Sequence, residues 1–254
     1  MMRLLQLVIL VGLIVSASAQ CNLVDTVSLI KPSVVGIGIY TPTGRPKNKL
    51  YGSGFVIGSG RYIVTNNHVI EKELDDSLLQ KLAIFTGKGK AAKVRVATLV
   101  ASDKEHDLAI LKIEGQSLPA VTLAKNAFLP DGSEIAFTGF PIGAVLGLYP
   151  ATHRGIIAAV TPTITPVGDA RQISIAMLKR LKDPYLVYQL DATAYPGNSG
   201  SAMYDVNTGE VVGIINKVFI QGNKETAISK PSGITYAIPV KYLHKLLKQH
   251  NIKG

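Results

Sequence analysis

The chain of 254 residues has no tryptophan, a single cysteine and only 6% aromatic residues. With Cys21 alone, no internal disulfide can form, so packing and hydrogen bonds must hold the fold. No group of histidine, cysteine, aspartate or glutamate has the spacing of metal ligands, and we expect neither a metal nor another cofactor. Acidic residues are also scarce, 17 against 27 lysines and arginines, which gives a formal net charge of +10.

This basic character predicts weak attraction to acidic polymers or surfaces. Base-reading motifs and interleaved aromatic and basic residues are missing, so we expect no specific nucleic-acid partner. The sequence leaves the oligomeric state open. The basic residues are densest in three clusters: Arg45, Lys47 and Lys49; Lys88, Lys90, Lys93 and Arg95; and Lys179, Arg180 and Lys182.

The N-terminus is typical of a secretory signal. Arg3 precedes an apolar run from Leu4 to Val15, and the small residues of Ala17-Ser18-Ala19 follow it. The run is short for a membrane span. We expect residues 1–19 to be a signal peptide and the protein to be periplasmic or extracellular. A lipid anchor on Cys21 and an uncleaved signal anchor are the alternatives.

Short apolar runs dominate the rest of the chain. Val34–Tyr40 and Val211–Ile215 are examples, and turns rich in glycine, proline and asparagine separate such runs. This pattern predicts an all-β barrel or sandwich. A helix from Val240 to Asn251 is expected to follow the last strand, with leucines on one side.

A serine lies within a glycine-rich turn, Tyr195-Pro196-Gly197-Asn198-Ser199-Gly200-Ser201. Glycine lets such a turn present a hydroxyl and converge successive N–H groups on one point, as an oxyanion hole requires. Taken alone, these residues are also what an ordinary surface turn uses.

Two other segments favour catalysis. Gly52–Ile70 has the pattern of a β-hairpin that delivers His68 to a strand end, where a general base could lie. Asp107 begins a short apolar strand, and a partly buried carboxylate needs a partner. The order histidine, aspartate, serine is one of the three known orders of a catalytic triad.

The remaining histidines have simpler interpretations. His106 adjoins Asp107, but neighbouring residues on a strand point to opposite faces, so only one of the two can face a shared cleft. His153, His244 and His250 are interpreted as surface or packing residues.

These segments resemble the HtrA/Deg branch of the trypsin-like serine peptidases, over residues 33–245. The resemblance implies a chymotrypsin-like double antiparallel β-barrel with a short C-terminal helix. It divides the chain into an N-terminal segment (20–32), a first barrel (33–128) and a second barrel with the helix (129–254). It rests on blocks in the family's order: Thr65–Val69, Asp107–Leu111, Gly139–Pro141, Pro196–Gly200 and Tyr236–Pro239.

The resemblance also implies a serine endopeptidase acting on polypeptides, such as unfolded or damaged proteins. Ser199 would be the nucleophile, His68 the general base and Asp107 the residue that orients the imidazole. The N–H groups of Gly197 and Ser199 would form the oxyanion hole. Many relatives carry PDZ domains after the last strand, and we expect none here.

The alignment further implies a pocket for the residue that precedes the cut. No carboxylate lies on its floor, so small or medium apolar residues should be preferred over lysine and arginine. Its floor and walls would be formed by Thr193, Ala194, Ile214, Ile215, Asn216, Lys217, Tyr236, Ala237 and Ile238.

Two non-enzymatic functions compete with this prediction. One is a catalytically silent binding protein with the protease fold, and the other is a secreted protein whose role is to bind polyanions. The intact set of His68, Asp107, Gly197 and Ser199 argues against the first. Binding to heparin or DNA that survives Ser199→Ala and tracks the phenotype would favour the second.

Overall fold

The structure is a computed structural model that describes residues 22–125, 127–142, 148–163, 184–218 and 233–254. Within these ranges the side chains of Lys90, Lys217 and Val218 are not described. The expected signal peptide, Cys21 and the basic cluster at residues 179–182 lie outside the described residues.

Six antiparallel strands form the first barrel. Their order is β1-β2-β3-β6-β5-β4, and β4 pairs with β1 to close it. Ile37, Ile84 and Leu111 fill its interior. The strands are β1 (Val34–Tyr40), β2 (Asn48–Ile57), β3 (Tyr62–Thr65), β4 (Lys81–Thr86), β5 (Lys93–Asp103) and β6 (Leu108–Ile113).

The second barrel has the same design. Its order is β10-β11-β12-β9-β8-β7, closed by pairing of β10 with β7. Phe137, Tyr188 and Met203 are among its core residues. The strands are β7 (Glu134–Gly139), β8 (Ala151–Pro162), β9 (Leu186–Asp191), β10 (Ala202–Asp205), β11 (Val211–Val218) and β12 (Ile234–Pro239).

The two barrels share an apolar core that also takes in the C-terminal helix. Phe55 of the first barrel and Tyr204 of the second belong to this cluster. The expected fold class, a chymotrypsin-like double β-barrel, is confirmed. The expected boundary after residue 128 falls between β6 and β7 and stays a prediction.

Three α-helices are described: α1 (Leu23–Ile30), α2 (Asn67–Ile70) and α3 (Val240–Gln249). Short 3-10 turns cover Lys31–Ser33, Asp76–Leu78 and Gly89–Ala91. Helix α3 buries Leu243, Leu246 and Leu247 on one face, because leucines three and four residues apart share a side of a helix.

Helix α3 stops two residues before the expected end. Asn251 has a left-handed backbone, φ 54°, and asparagine is one of the residues that favour such a conformation just past a helix end. No helix in the described part of the chain has the length and apolar character needed to cross a membrane.

Candidate active site

His68 lies just after β3, in the short helix α2, and it contacts Asp107 twice. The imidazole Nδ1 is 2.6 Å from the Asp107 Oδ2, and the backbone N–H of His68 donates to Oδ1 at 2.8 Å. The Asp107 side chain is 16% exposed and that of His68 is 36% exposed. The carboxylate therefore fixes the ring in one orientation and leaves the Nε2 edge available to a third group.

Asp107 occupies the turn before β6 with a left-handed backbone, φ 55°. Its carbonyl accepts hydrogen bonds from the side-chain amide of Asn66 at 3.0 Å and from the backbone N–H of Asn67 at 3.2 Å. A non-glycine residue in this conformation needs surroundings that over-determine it. The two asparagines before His68 thus fix the backbone of the aspartate that binds the histidine.

Ser199 is half-buried, between two glycines with left-handed backbones, Gly197 (φ 103°) and Gly200 (φ 86°). Its hydroxyl donates to the carbonyl of Asn216 at 2.9 Å. No hydrogen bond joins it to the imidazole of His68, although both side chains are described. Catalytic hydrogen bonds often form only when substrate is bound, so this geometry leaves the serine eligible as a nucleophile.

The backbone N–H groups of Gly197 and Ser199 are oriented by the turn that precedes the serine. The carbonyl of Pro196 accepts from the backbone N–H of Ile142 at 2.7 Å. Because the C=O and N–H of a trans peptide point in opposite directions, the Gly197 N–H points away from Ile142. Neither the Gly197 N–H nor the Ser199 N–H donates to a described residue. Among residues 22–125, 127–142, 148–163, 184–218 and 233–254, no acceptor therefore competes with an external oxygen for these two N–H groups.

Ser53, on β2 of the first barrel, binds the loop that carries Gly197 and Ser199. Its backbone N–H donates to the carbonyl of Ser199 at 2.8 Å. Its hydroxyl donates to the carbonyl of Gly197 at 2.7 Å and accepts from the N–H of Phe140 at 2.9 Å. Sequence reasoning assigned Ser53 no role. The signal that could have found it is a small polar residue between glycines in a strand that approaches another backbone closely.

The residues expected to line a substrate pocket divide by exposure. Thr193, Asn216 and Tyr236 are partly exposed. The side chain of Lys217 lies outside the described part. The other five residues are buried and present almost no surface to a substrate: Ala194, Ile214, Ile215, Ala237 and Ile238. The pocket stays a prediction.

The other histidines have partners of their own. His106 lies in a turn, and its ring binds Asp103 at 2.7 Å. Asp107 also lies in that turn, so the strand argument applied to the two residues was wrong. His153 stacks on Phe137 with ring centres 4.9 Å apart. Burial lowers the pKa of His153 below its ordinary value of 6.5, because the low-polarity surroundings disfavour the charged ring.

Comparison with known proteins identifies the family. Residues 52–214, more than half of the chain, match the family described as a trypsin-like peptidase domain. The chain belongs to the trypsin-like peptidase family. The family prediction is confirmed.

Within that family its relatives are of the HtrA/Deg type. The chain is 32% identical over 190 residues to a Halomonas elongata protein named "Probable periplasmic serine endoprotease DegP-like". A Pseudomonas putida protein of the same name is 30% identical over 190 residues. Both matches cover 74% of this chain and 32% of the relative, so the chain spans about a third of the length of these curated relatives.

Solved structures show the same fold. "HtrA-type protease AlgW with tripeptide" superposes with a TM-score of 0.66 at 26% identity, over 90% of this chain and 63% of that one. "Crystal structure of Deg5" gives a TM-score of 0.60 at 26% identity, over 87% of this chain and 90% of that one.

Proposed function

We propose that the protein is a serine endopeptidase with Ser199, His68 and Asp107 as its catalytic triad. The observation that carries the proposal is the double contact between Asp107 and His68, at 2.6 and 2.8 Å. In a triad the carboxylate holds the imidazole in the tautomer whose Nε2 can accept a proton. A histidine held this way beside a glycine-flanked serine has the chemistry of a general base.

In the first half-reaction the Ser199 hydroxyl rotates from the carbonyl of Asn216 toward His68. Its oxygen bonds to the peptide carbonyl carbon while its proton passes to Nε2 of His68. The carbonyl oxygen becomes an oxyanion that accepts from the N–H groups of Gly197 and Ser199. Each such donor lowers the barrier by about 3 kcal/mol.

The tetrahedral intermediate then collapses. The C–N bond breaks, the proton on His68 passes to the leaving amine, and an acyl-enzyme on Ser199 remains. Water then takes the place of the serine: it loses a proton to His68 and attacks the acyl carbon. The bond between that carbon and the Ser199 oxygen breaks, His68 returns the proton to the serine oxygen, and the new carboxylate leaves. Asp107 keeps its negative charge throughout and stabilises the imidazolium.

We infer that the substrates are polypeptides, in particular unfolded or damaged ones, and that residues 1–19 direct export. The names of the relatives, periplasmic serine endoproteases, support export to the periplasm. The pocket near Thr193 and Tyr236 has no acidic residue among its proposed members, which favours cleavage after small or medium apolar residues. Dominant cleavage of a peptide library after arginine would contradict this pocket.

The decisive experiment labels the purified protein with a fluorophosphonate and assays cleavage of unfolded casein. Wild type should be labelled on Ser199, and Ser199→Ala should lose labelling and cleavage together. Ser201→Ala is the matched control, since the second serine lies two residues away and its buried hydroxyl has no hydrogen-bond partner in the described structure. Labelling that persists in Ser199→Ala would refute the assignment of the nucleophile.

A further inference from the structure

A second aspartate–histidine pair lies four residues before the proposed catalytic aspartate. Asp103, the last residue of β5, accepts from the backbone N–H of His106 at 3.1 Å, and its Oδ2 is 2.7 Å from the ring Nδ1. Asp107 binds His68 by the same two contacts. His106 is 5% exposed, so its imidazole is part of the protein interior.

Two tyrosines enclose the His106 ring. Tyr242 of α3 stacks on it with ring centres 4.2 Å apart and planes at 23°. Tyr185, which precedes β9, meets it at 4.7 Å and 59°. The two tyrosines contact each other edge to face at 5.4 Å. We call these three residues, His106, Tyr185 and Tyr242, the ring cluster.

The ring cluster joins parts of the molecule that are distant in sequence. His106 belongs to the first barrel, whereas Tyr185 leads into the second barrel and Tyr242 lies on the C-terminal helix. The hydroxyl of Tyr242 accepts from the backbone N–H of Leu186 at 3.1 Å, which fixes the helix to β9. The turn that carries Asp107 is therefore held from the second barrel as well as from the first.

We propose that His106 is a positioning residue for Asp107. Asp107 follows His106 directly and has a left-handed backbone, φ 55°, a conformation that costs about 1–3 kcal/mol and persists only where neighbours impose it. On its C-terminal side Asp107 enters β6. On its N-terminal side the constraint comes from His106, through the Asp103 carboxylate and the ring cluster.

This inference rests on the proposed function, because it concerns the triad geometry. A misplacement of about 1 Å in a catalytic group can cost about 100-fold in rate. Loss of either constraint on His106 lets the Asp107 carboxylate shift without removing it from the site. The expected result is a lower kcat with little change in KM, since the substrate pocket is not touched.

The variants separate the two constraints. His106→Phe keeps an aromatic ring for Tyr242 and Tyr185 and keeps the backbone N–H, but it has no side-chain donor for Asp103. His106→Asn keeps an N–H donor near the position of Nδ1 but has no ring. We expect each to lower kcat on casein-derived peptides by about 10-fold, with KM within about twofold. Tyr242→Leu should lower kcat in the same way, and Tyr242→Phe, which keeps the ring, should retain most of the activity.

His244→Phe is the matched control. His244 lies on the same helix as Tyr242, and its Nε2 is 2.8 Å from the carbonyl of Ala124, so its substitution also removes a contact of the helix. No hydrogen bond or ring contact joins it to His106 or Asp107 in the described part of the chain. A lower melting temperature with wild-type kcat is expected for this control.

A spectroscopic measurement tests the positioning without proteolysis. In a Ser199→Ala background, the proton between His68 Nδ1 and Asp107 Oδ2, 2.6 Å apart, should give a far-downfield proton NMR signal. His106→Phe should broaden or shift this signal, and His244→Phe should leave it unchanged. If folded His106→Phe and His106→Asn both keep the wild-type signal and kcat, the proposal is wrong. If the wild-type protein shows neither labelling nor cleavage, the proposed function is wrong instead. The NMR comparison would still show whether His106 positions Asp107.

Discussion

The hydroxyl of Ser53 donates to the carbonyl of Gly197 at 2.7 Å. The donor lies on a strand of the first barrel, and the acceptor belongs to the loop of the second barrel that carries Ser199. Since the peptide before Gly197 supplies a proposed oxyanion donor, this bond lets one barrel fix the catalytic backbone of the other. Ser53 is fully buried, so no water competes for the bond.

Replacing Ser53 by alanine should therefore destabilise the protein and slow catalysis. Ser53→Ala leaves the Phe140 N–H and the Gly197 carbonyl without their partner, a loss of about 1–3 kcal/mol in the free energy of unfolding for each buried group left unsatisfied. Ser201→Ala should change this free energy little, because its buried hydroxyl has no described partner. Urea denaturation and peptide kinetics on both variants check this. Equal stability of the two would show that the bond to Gly197 is not significant.

Asp107→Asn should lower kcat by about 10⁴-fold, as expected when an imidazole is held in the wrong tautomer. The new side-chain amide would offer a donor where His68 needs an acceptor. Asp205→Asn is a suitable control, because Asp205 also accepts from backbone N–H groups, those of Asn207 and Thr208, in a turn away from the site. Steady-state kinetics decide the point: an Asp107→Asn variant with near wild-type kcat would remove Asp107 from the triad.

Gly200 and Gly132 form a matched pair, with φ 86° and 84°. A Cβ on Gly200 would overlap the carbonyl oxygen of Ser53, whereas a Cβ on Gly132 would meet nothing within 4 Å. Gly132→Ala should cost about 1–2 kcal/mol in unfolding free energy from the left-handed backbone alone. Gly200→Ala should cost roughly 1–3 kcal/mol more from the clash and should also lose activity. Thermal and urea unfolding of both variants measure the difference. Equal costs would mean that the loop relaxes away from Ser53.

His153 should make stability depend on pH. Burial lowers its pKa in the folded state below 6.5, so above that pH both states are neutral and the residue has no effect. As the pH falls below 6.5 the unfolded chain binds the proton more readily, and the folded state loses relative stability until its own, lower pKa is reached.

Between about pH 7 and pH 5, wild type should consequently lose more unfolding free energy than His153→Gln. His250→Gln is the control, since His250 is exposed, and it should follow the wild-type curve. Parallel curves for wild type and His153→Gln would show that His153 does not contribute to the pH dependence.

Much of this protein follows from local sequence. Short apolar runs between glycine and proline turns predicted strands, because alternation and turn chemistry are properties of adjacent residues. The blocks around His68, Asp107 and Ser199 predicted the family for a similar reason. Each needs a particular local backbone, such as the left-handed glycines around Ser199, and that need is visible in the sequence itself.

The sequence did not reveal the contacts that hold those blocks together. Ser53 and Gly197 are 144 residues apart, and nothing near either residue specifies the other. The same holds for the stacking of His106 on Tyr242, and for the bond from the Ser199 hydroxyl to Asn216. Local sterics can be predicted from neighbouring residues, but only closure of the two barrels against each other and against α3 brings these partners within hydrogen-bond or stacking distance.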